Sequence, residues 1–336
     1  MGSLQTRFMG LPLSNPVIAG SSDLTSNVDS IKRMEEAGAG AIVLKSLFEE
    51  QIQLERFKLE EDLETGSDLY GEMATIFPKL QHAGAKEHLM WVKKARDAVK
   101  IPVIASLNAV TRGTWVQYAR QLADQGVDGL ELNFFATPRD FDLAGARIEE
   151  EQLDALREVR RAVRIPLAVK LSVFYSNPLN FLRRLDAEGI DGFVLFNRFF
   201  QPDIDPETES MTLPMNFSAP ADNRLPLRFA GLLYGRVKAD VCASTGIVSG
   251  DDVARMLLAG AAAVQVVTAL YRNGVKVIAD MRAGLERWMA KKSYASIDAF
   301  RGKLSAKNAK DPWAYTRAQY AKMLLGHKEW AETKKA

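Results

Sequence analysis

The chain has 336 residues, with 44 basic and 42 acidic side chains and a formal net charge of +2. This balance lacks the basic excess that nucleic-acid binding demands, so no nucleic-acid partner is expected. A composition of 47% hydrophobic and 26% charged residues suits a globular protein with a sizeable core. No apolar run reaches the ~20 residues that cross a bilayer, so no membrane partner is expected either. The stretch from Met1 to Ser22 has no basic segment followed by a continuous apolar run, as a secretory signal would. Cys242 is the single cysteine and cannot form an intramolecular disulfide, which fits a reducing, cytoplasmic setting. His82, His88 and His327 lack Cys or carboxylate neighbours at ligand spacing, so no metal site is expected. His82 and His88 lie in a polar stretch and read as solvated.

Short apolar runs alternate with amphipathic segments along the whole chain. In order, the runs are Pro16–Gly20, Ala41–Lys45, Pro102–Leu107, Gly129–Asn133, Leu167–Leu171, Gly192–Asn197, Asp240–Thr245 and Ala263–Val267. Each is too short for a helix and rich in Val, Ile, Leu or Ala, as buried parallel strands are. The helical patterns that follow them are Val28–Ala37, Lys86–Val99, Trp115–Gln125, Glu149–Val163, Pro178–Glu188, Leu227–Val237, Asp251–Ala259 and Val275–Lys291. Eight strands alternating with eight helices predict an α/β fold, a (βα)8 TIM barrel. Internal echoes agree: Ala98-Val-Lys-Ile-Pro-Val-Ile-Ala-Ser-Leu107 is matched by Ala162-Val-Arg-Ile-Pro-Leu-Ala-Val-Lys-Leu171. In both, a cation suits the negative end of a helix and a proline opens a strand.

Two connections are long, Phe48 to Lys86 and Phe199 to Pro226. Both follow strands, so both should emerge at the C-terminal face of the barrel, where active sites sit and long insertions often act as lids. The first opens on a charged, helix-prone stretch, Gln51–Glu64. The barrel is expected to occupy residues 1–304. Residues 305–336 read as a C-terminal helical extension, with a short helix near Trp313–Leu325.

Polar residues at strand ends carry the functional signal: Lys45 and Ser46, Ser106 and Asn108, Asn133, Lys170 and Ser172, and Asn197. An amide or ammonium there is unlike core filler, because burying it unpaired is costly. A snorkelling lysine or an amide that ties down a loop would give the same pattern. Ala243-Ser-Thr-Gly-Ile-Val-Ser-Gly250 is a small-residue turn leading into a helix, and Val266-Val-Thr-Ala-Leu270 repeats it more weakly. Loops after the last two barrel strands commonly form phosphate sites from backbone N–H groups and a helix N-terminus.

These motifs resemble the dihydroorotate dehydrogenase family, including the flavin domain of dihydropyrimidine dehydrogenase. The resemblance runs from about Arg7 to Leu304. Met9-Gly-Leu-Pro-Leu-Ser-Asn-Pro16 is similar to the family's first strand pair, and Ala19-Gly-Ser21 to the stretch that passes the flavin. Leu44-Lys-Ser46, Glu131-Leu-Asn133, Val169-Lys-Leu171, Asn197, Ser244-Thr-Gly-Ile247, Gln265-Val-Val-Thr-Ala-Leu270 and Ser296-Ile-Asp-Ala-Phe-Arg-Gly-Lys-Leu304 follow in the family's order. The resemblance implies FMN across the top of the barrel. Cofactor contacts would come from Ala19, Gly20, Ser21, Lys45, Ser46, Asn133, Lys170 and Asn197, with Ser244, Thr245, Gly246, Val267 and Thr268 around the phosphate. Asn133, Asn197 and Arg198 would contact substrate. Lys170 would stabilise negative charge on the flavin, with Lys45 nearby. It further implies a dehydrogenase acting on a CH–CH group, a small-molecule substrate, a second electron acceptor, a homodimer and a place in pyrimidine synthesis.

The substrate side departs from the family. Its general base, a Cys or Ser three residues after the asparagine, is here Ala136, which cannot accept a proton. Thr137 is the adjacent candidate catalytic residue, and Pro138 stands where the family's orotate-gripping asparagine would be. The family's substrate loop has no counterpart in Tyr70–Pro78, and its paired glycines are absent from Asn216–Asn223. One phosphate-turn glycine is Thr245 and another is Val267. Poor dihydroorotate oxidation is therefore expected, with a different substrate as the leading alternative. The base would then be Ser172, Tyr175 or a residue of Phe48–Lys86, and Arg112, Arg139 or Arg198 would pair with an anionic substrate. Two further readings stay open: a non-catalytic flavin-binding protein, and a flavin-free phosphate-binding barrel in which Lys170 forms a Schiff base.

Overall fold

In this computed structural model the described residues are 2–50, 85–109, 111–134, 141–198, 201–212, 214–215, 217–315, 321 and 325. The chain starts with an antiparallel hairpin, β1 (Thr6–Phe8) and β2 (Leu11–Leu13), with Phe8 paired to Leu11. Its two-residue turn, Met9-Gly10, has φ of 56° and 75°, the doubly positive geometry that matches strand twist in a tight hairpin. Barrel strands and helices then alternate: β3 (Val17–Ala19), α1 (Val28–Glu36), β4 (Ala41–Val43), β5 (Leu47–Phe48), α2 (Ala85–Ala98), β6 (Val103–Asn108), α3 (Arg112–Asp124), β7 (Gly129–Phe134) and α4 (Gly145–Ala162). The second half holds β8 (Leu167–Leu171), α5 (Pro178–Ala187), β9 (Gly192–Leu195), the hairpin β10 (Asp203–Asp205) and β11 (Ser210–Thr212), α6 (Arg224–Leu233), β12 (Asp240–Ser244), α7 (Gly250–Ala259), β13 (Ala263–Val266), α8 (Thr268–Asn273) and α9 (Lys276–Lys291).

Parallel pairing runs β3-β4-β6-β7-β8-β9-β12-β13 and returns to β3, closing an eight-stranded TIM barrel. Strand β5 continues the edge of β4, pairing Leu47 and Phe48 with Leu107 and Asn108. All eight predicted strands and eight predicted helices are present, with boundaries shifted by a few residues. Alternation along each strand separates two cores. Outward residues such as Val17, Ile42, Val103 and Val169 join the helices in the large outer core. Inward residues Ile18, Ala41, Val43, Ile104, Ala168, Val194, Cys242 and Ala263 fill the lower barrel, and Phe8, Met9 and Leu13 of the hairpin plug it from below. The plug leaves no room for a side chain at Gly192, where a Cβ would lie 2.8 Å from Met9 Cγ and 2.9 Å from a Phe8 ring carbon.

One sequence expectation needs correction. His88 is not solvated but buried, on the face of α2 that also buries Trp91, Val92 and Ala95. The polar neighbours that suggested exposure lie on the opposite side of the helix. The connection after the sixth strand carries the hairpin β10–β11, exposed three-residue strands with Ile204 and Met211 between polar neighbours, too short for their alternation to be read from sequence. Beyond the barrel, Pro312–Tyr315 forms a 3-10 turn, and Tyr315 packs over Gly231 of α6. Gln51–Glu64, Tyr70–Pro78, His82, Ala136, Thr137, Pro138, Arg139 and His327 lie outside the described residues, as does most of the Trp313–Leu325 segment beyond Tyr315.

Candidate functional site

Along five strands the inward side chain turns from small or apolar to polar within two residues: Ile104 to Ser106, Gly129 to Glu131, Ala168 to Lys170, Cys242 to Ser244, and Ala263 to Gln265. The lower barrel is therefore a dry core and its C-terminal end a polar floor, the end at which barrel enzymes place their chemistry.

The charged centre of this floor is Lys170, which is 7% exposed. Its Nζ donates to Gln265 Oε1 at 3.2 Å and stands 3.5 Å from Glu131 Oε1. Gln265 Nε2 in turn donates to Glu131 Oε2 at 2.5 Å, so a polar tie crosses the barrel from β13 to β7 and β8. A second network links serines at neighbouring strand ends. Ser46 Oγ lies 2.7 Å from Ser106 Oγ and 3.1 Å from Ser21 Oγ, and the Ser46 N–H donates to Ser21 Oγ. A third joins the strand-end amides, with Asn197 Nδ2 donating to Asn133 Oδ1 at 2.9 Å.

The turn after β12 has two consecutive residues with positive φ, Thr245 at 84° and Gly246 at 71°. Glycine takes that conformation freely and threonine does not. Thr245 is held by its hydroxyl, which donates to the Phe196 carbonyl at 3.0 Å. At Gly246 a side chain has no space, because a Cβ would lie 2.5 Å from the Asn223 nitrogen and 2.8 Å from the Ala219 oxygen. Ser218 bridges this turn to the next one: its hydroxyl accepts from the Gly246 N–H at 3.1 Å and donates to Thr268 Oγ1 at 3.0 Å. Asn223 braces the turn from behind, donating to the Gly246 carbonyl and to Asp252. Thr268 opens α8, whose first N–H groups have no acceptor within the helix.

These groups surround one cavity of about 960 Å³ at the C-terminal end of the barrel. It is lined by Ser21, Lys45, Ser46, Asn133, Lys170, Asn197, Arg198, Ser244, Thr245, Gly246, Val267 and Thr268, all anticipated from sequence. Its other lining residues include Asn108, Phe217, Ser218, Gln265 and Tyr271. Among the described residues, the cations Lys45, Lys170 and Arg198 line it, Lys45 paired with Asp23 at 2.6 Å and Lys170 with Glu131 at 3.5 Å. Arg198 is held by Asp222 at 2.6 Å. Ala19 and Gly20 are not among the lining residues; Ala19 points outward into the helix-facing core. A second lobe of about 1040 Å³ opens beside α6 and shares Phe174, Phe196, Asn197, Arg198, Gln201 and Thr245 with the first.

Of the other anticipated acid–base and anion-pairing residues, Ser172, Tyr175 and Arg112 are described and do not line the cavity. Ser172 is buried and its hydroxyl accepts from the Phe174 N–H. The Tyr175 hydroxyl donates to Gln152 Oε1 at 2.8 Å, and burial pushes its pKa far above the usual phenol range. Arg112 lies on the outer face of the barrel, paired with Asp154 and Glu158 of α4. Glu131, Gln265, Ser218 and Asn223 were not assigned roles from sequence, because their partners lie 134, 95, 50 and 29 positions away. Among the described residues, no group of three or more His, Cys, Asp or Glu is arranged to hold a metal ion. Nor is any helix among them long and apolar enough to cross a membrane.

The fold is a TIM barrel whose C-terminal end, where barrel enzymes place their chemistry, carries a cavity lined by amide, hydroxyl and cationic side chains and by a glycine-braced turn after the seventh strand. The sequence profile of the dihydroorotate dehydrogenase family matches residues 3–289. The chain belongs to that family. It is 26% identical over 306 residues to the catalytic subunit of dihydroorotate dehydrogenase B (NAD(+)) from Thermoplasma volcanium, covering 90% of this chain and 98% of that one. The corresponding subunit from Methanocaldococcus jannaschii is 25% identical over 281 residues, 82% of this chain and 89% of that one. That from a Geobacillus species is 25% identical over 276 residues, 80% and 85% respectively.

Proposed function

We infer that the protein is an FMN-dependent oxidoreductase whose substrate is not dihydroorotate. The observation that carries the cofactor reading is the donor set of the cavity. Lys170, the amides of Asn133 and Asn197, and the hydroxyls of Ser21 and Ser46 suit a flat, oxygen-rich ring. The turn of Thr245 and Gly246, with Ser218 and Thr268, suits a phosphate monoester. The volume of about 960 Å³ falls at the upper end of the ~300–1,000 Å³ usual for such ligands.

When bound, FMN would supply the hydride acceptor for a two-electron oxidation. Lys170 would hold positive charge close to the ring, fixed in advance by Gln265 and Glu131, so that little reorganisation is needed when negative charge develops. The mutual hydrogen bond of Asn133 and Asn197 fixes the orientation of both amides toward the ligand space. Lys45 and Arg198 would attract an anionic substrate.

Two observations favour a substrate other than dihydroorotate. Alanine at 136 leaves the family's base position unable to take a proton, a loss that typically costs about 10²–10⁴ in rate. The second cavity, which has Asn197 and Arg198 in common with the first as lining residues, would give room for a substrate larger than one pyrimidine ring. We assign residues 305–336 to an appended segment outside the barrel, and leave the electron acceptor to experiment. The test is to purify the protein, record its visible spectrum, and add dihydroorotate without oxygen. Flavin bands that persist with dihydroorotate and bleach with dithionite support the proposal. A colourless protein that does not take up FMN refutes the cofactor, and bleaching by dihydroorotate within seconds refutes the substrate assignment.

A further inference from the structure

Glu131 and Lys170 are buried charged side chains of the inward barrel columns, among mostly apolar or neutral neighbours. Both are buried, Glu131 to 1% exposure. Taking two charges out of water is costly, and well-packed apolar side chains in their place are often neutral or stabilising. Packing therefore gives no reason for the pair. Its geometry gives another. Glu131 Oε2 is used by Gln265, while Glu131 Oε1 has no hydrogen bond and faces the ammonium at 3.5 Å. Gln265 reads both charges at once, accepting from Lys170 through its oxygen and donating to Glu131 through its nitrogen. The ammonium is thus fixed in place and partly neutralised from below, on the side away from the cavity.

We propose that Glu131 is a positioning residue that sets, together with Gln265, how much of the Lys170 charge acts on the ligand in the cavity. The proposal rests on the FMN reading above and concerns the balance between the oxidised and the more negative reduced cofactor. A cation near the ring favours the reduced form, and its buried counter-ion limits that preference. Removing the carboxylate while keeping its shape should unmask the cation. Placing a second carboxylate at Gln265 should mask it further. Neither effect is expected of a residue that only fills space.

The experiment measures the two-electron midpoint potential of protein-bound FMN by spectroelectrochemistry in the full-length wild type, Glu131→Gln and Gln265→Glu. FMN retention and far-ultraviolet circular dichroism are recorded for each. Glu131→Gln is expected to favour reduced over oxidised FMN at least tenfold more than the wild type, a rise of about 30 mV for a two-electron couple. Gln265→Glu is expected to shift it by a similar amount in the opposite direction. Should Glu131→Gln fail to fold, the sign of the Gln265→Glu shift decides alone. Potentials that stay within a few-fold equivalent of the wild type, or that move the other way, overturn the proposal. A wild type that binds no FMN instead overturns the cofactor reading, so the two failures are distinguishable.

Discussion

Thr245 and Gly246 show how single residues shape the site. Both adopt positive φ, yet the first is threonine where the family has glycine. The strain is tolerated because the Thr245 hydroxyl is tied to the Phe196 carbonyl and the next residue remains glycine. Gly246 has no such latitude, since the Asn223 and Ala219 backbones lie within 2.8 Å of any Cβ. Gly246→Ala should destabilise the fold by about 1–3 kcal/mol, the usual cost of forcing a side chain into such a conformation. It should also weaken FMN binding. Urea unfolding and FMN titration check the two effects, and a variant as stable as the wild type would show that the segment behind the turn can move.

Cys242 is a different kind of buried residue. Burial in the dry lower barrel, with Glu131 nearby, raises its pKa well above the ordinary thiol value. The thiol should therefore be inert to Ellman's reagent at pH 8 in the native protein and react once per chain in denaturant. Because the folded pKa is raised, its contribution to stability is fully present below the unfolded value of 9.0. As pH rises beyond 9.0 the unfolded chain releases its proton first, and stability falls. Cys242→Ala should flatten the alkaline limb of the stability profile.

At the level of elements, the N-terminal hairpin acts as a stopper for the barrel. Phe8 and Met9 fill the space beneath the strands, which is why Gly192 can carry no side chain. Phe8→Ala should cost about 3–5 kcal/mol, as large aromatic deletions in cores do. The cavity lies at the far end, so FMN affinity should change little; a denaturant midpoint that does not move would contradict the packing argument. The outer face of α4 behaves otherwise. Arg157 contacts Glu150, Asp154 and Glu188, and Arg184 contacts Glu149 and Glu150, all partly solvated. Salt screens such pairs. Arg157→Ala should lower the melting temperature slightly in dilute buffer and not at all in 1 M NaCl.

The strands and helices of the barrel were legible because their periodicity is local: a run of four to six apolar residues, a glycine cap, a helical stripe. The hairpin β10–β11 was not, because its exposed three-residue strands are too short for an alternation to be read. His88 misled because its sequence neighbours are polar while its helix face is apolar. The strand-end residues of the site could be picked out one by one. Their wiring could not, since Ser218 reaches Thr268 and Gln265 reaches Glu131 only once the barrel has closed. Local signals placed the groups, and tertiary closure determined which of them touch.

At the scale of the whole molecule, an apolar lower barrel, a stopper below and a polar floor above concentrate polar and charged chemistry at one end. There the cavity is lined by amide, hydroxyl and ion-paired cationic groups and shares residues with a second cavity beside α6. The central claim is that this end holds FMN and has lost the family's reaction with dihydroorotate. Its most direct test is the anaerobic visible spectrum of the purified protein before and after dihydroorotate. The account predicts flavin bands that dihydroorotate leaves intact and dithionite bleaches. Absence of flavin after reconstitution, or rapid bleaching by dihydroorotate, would contradict it.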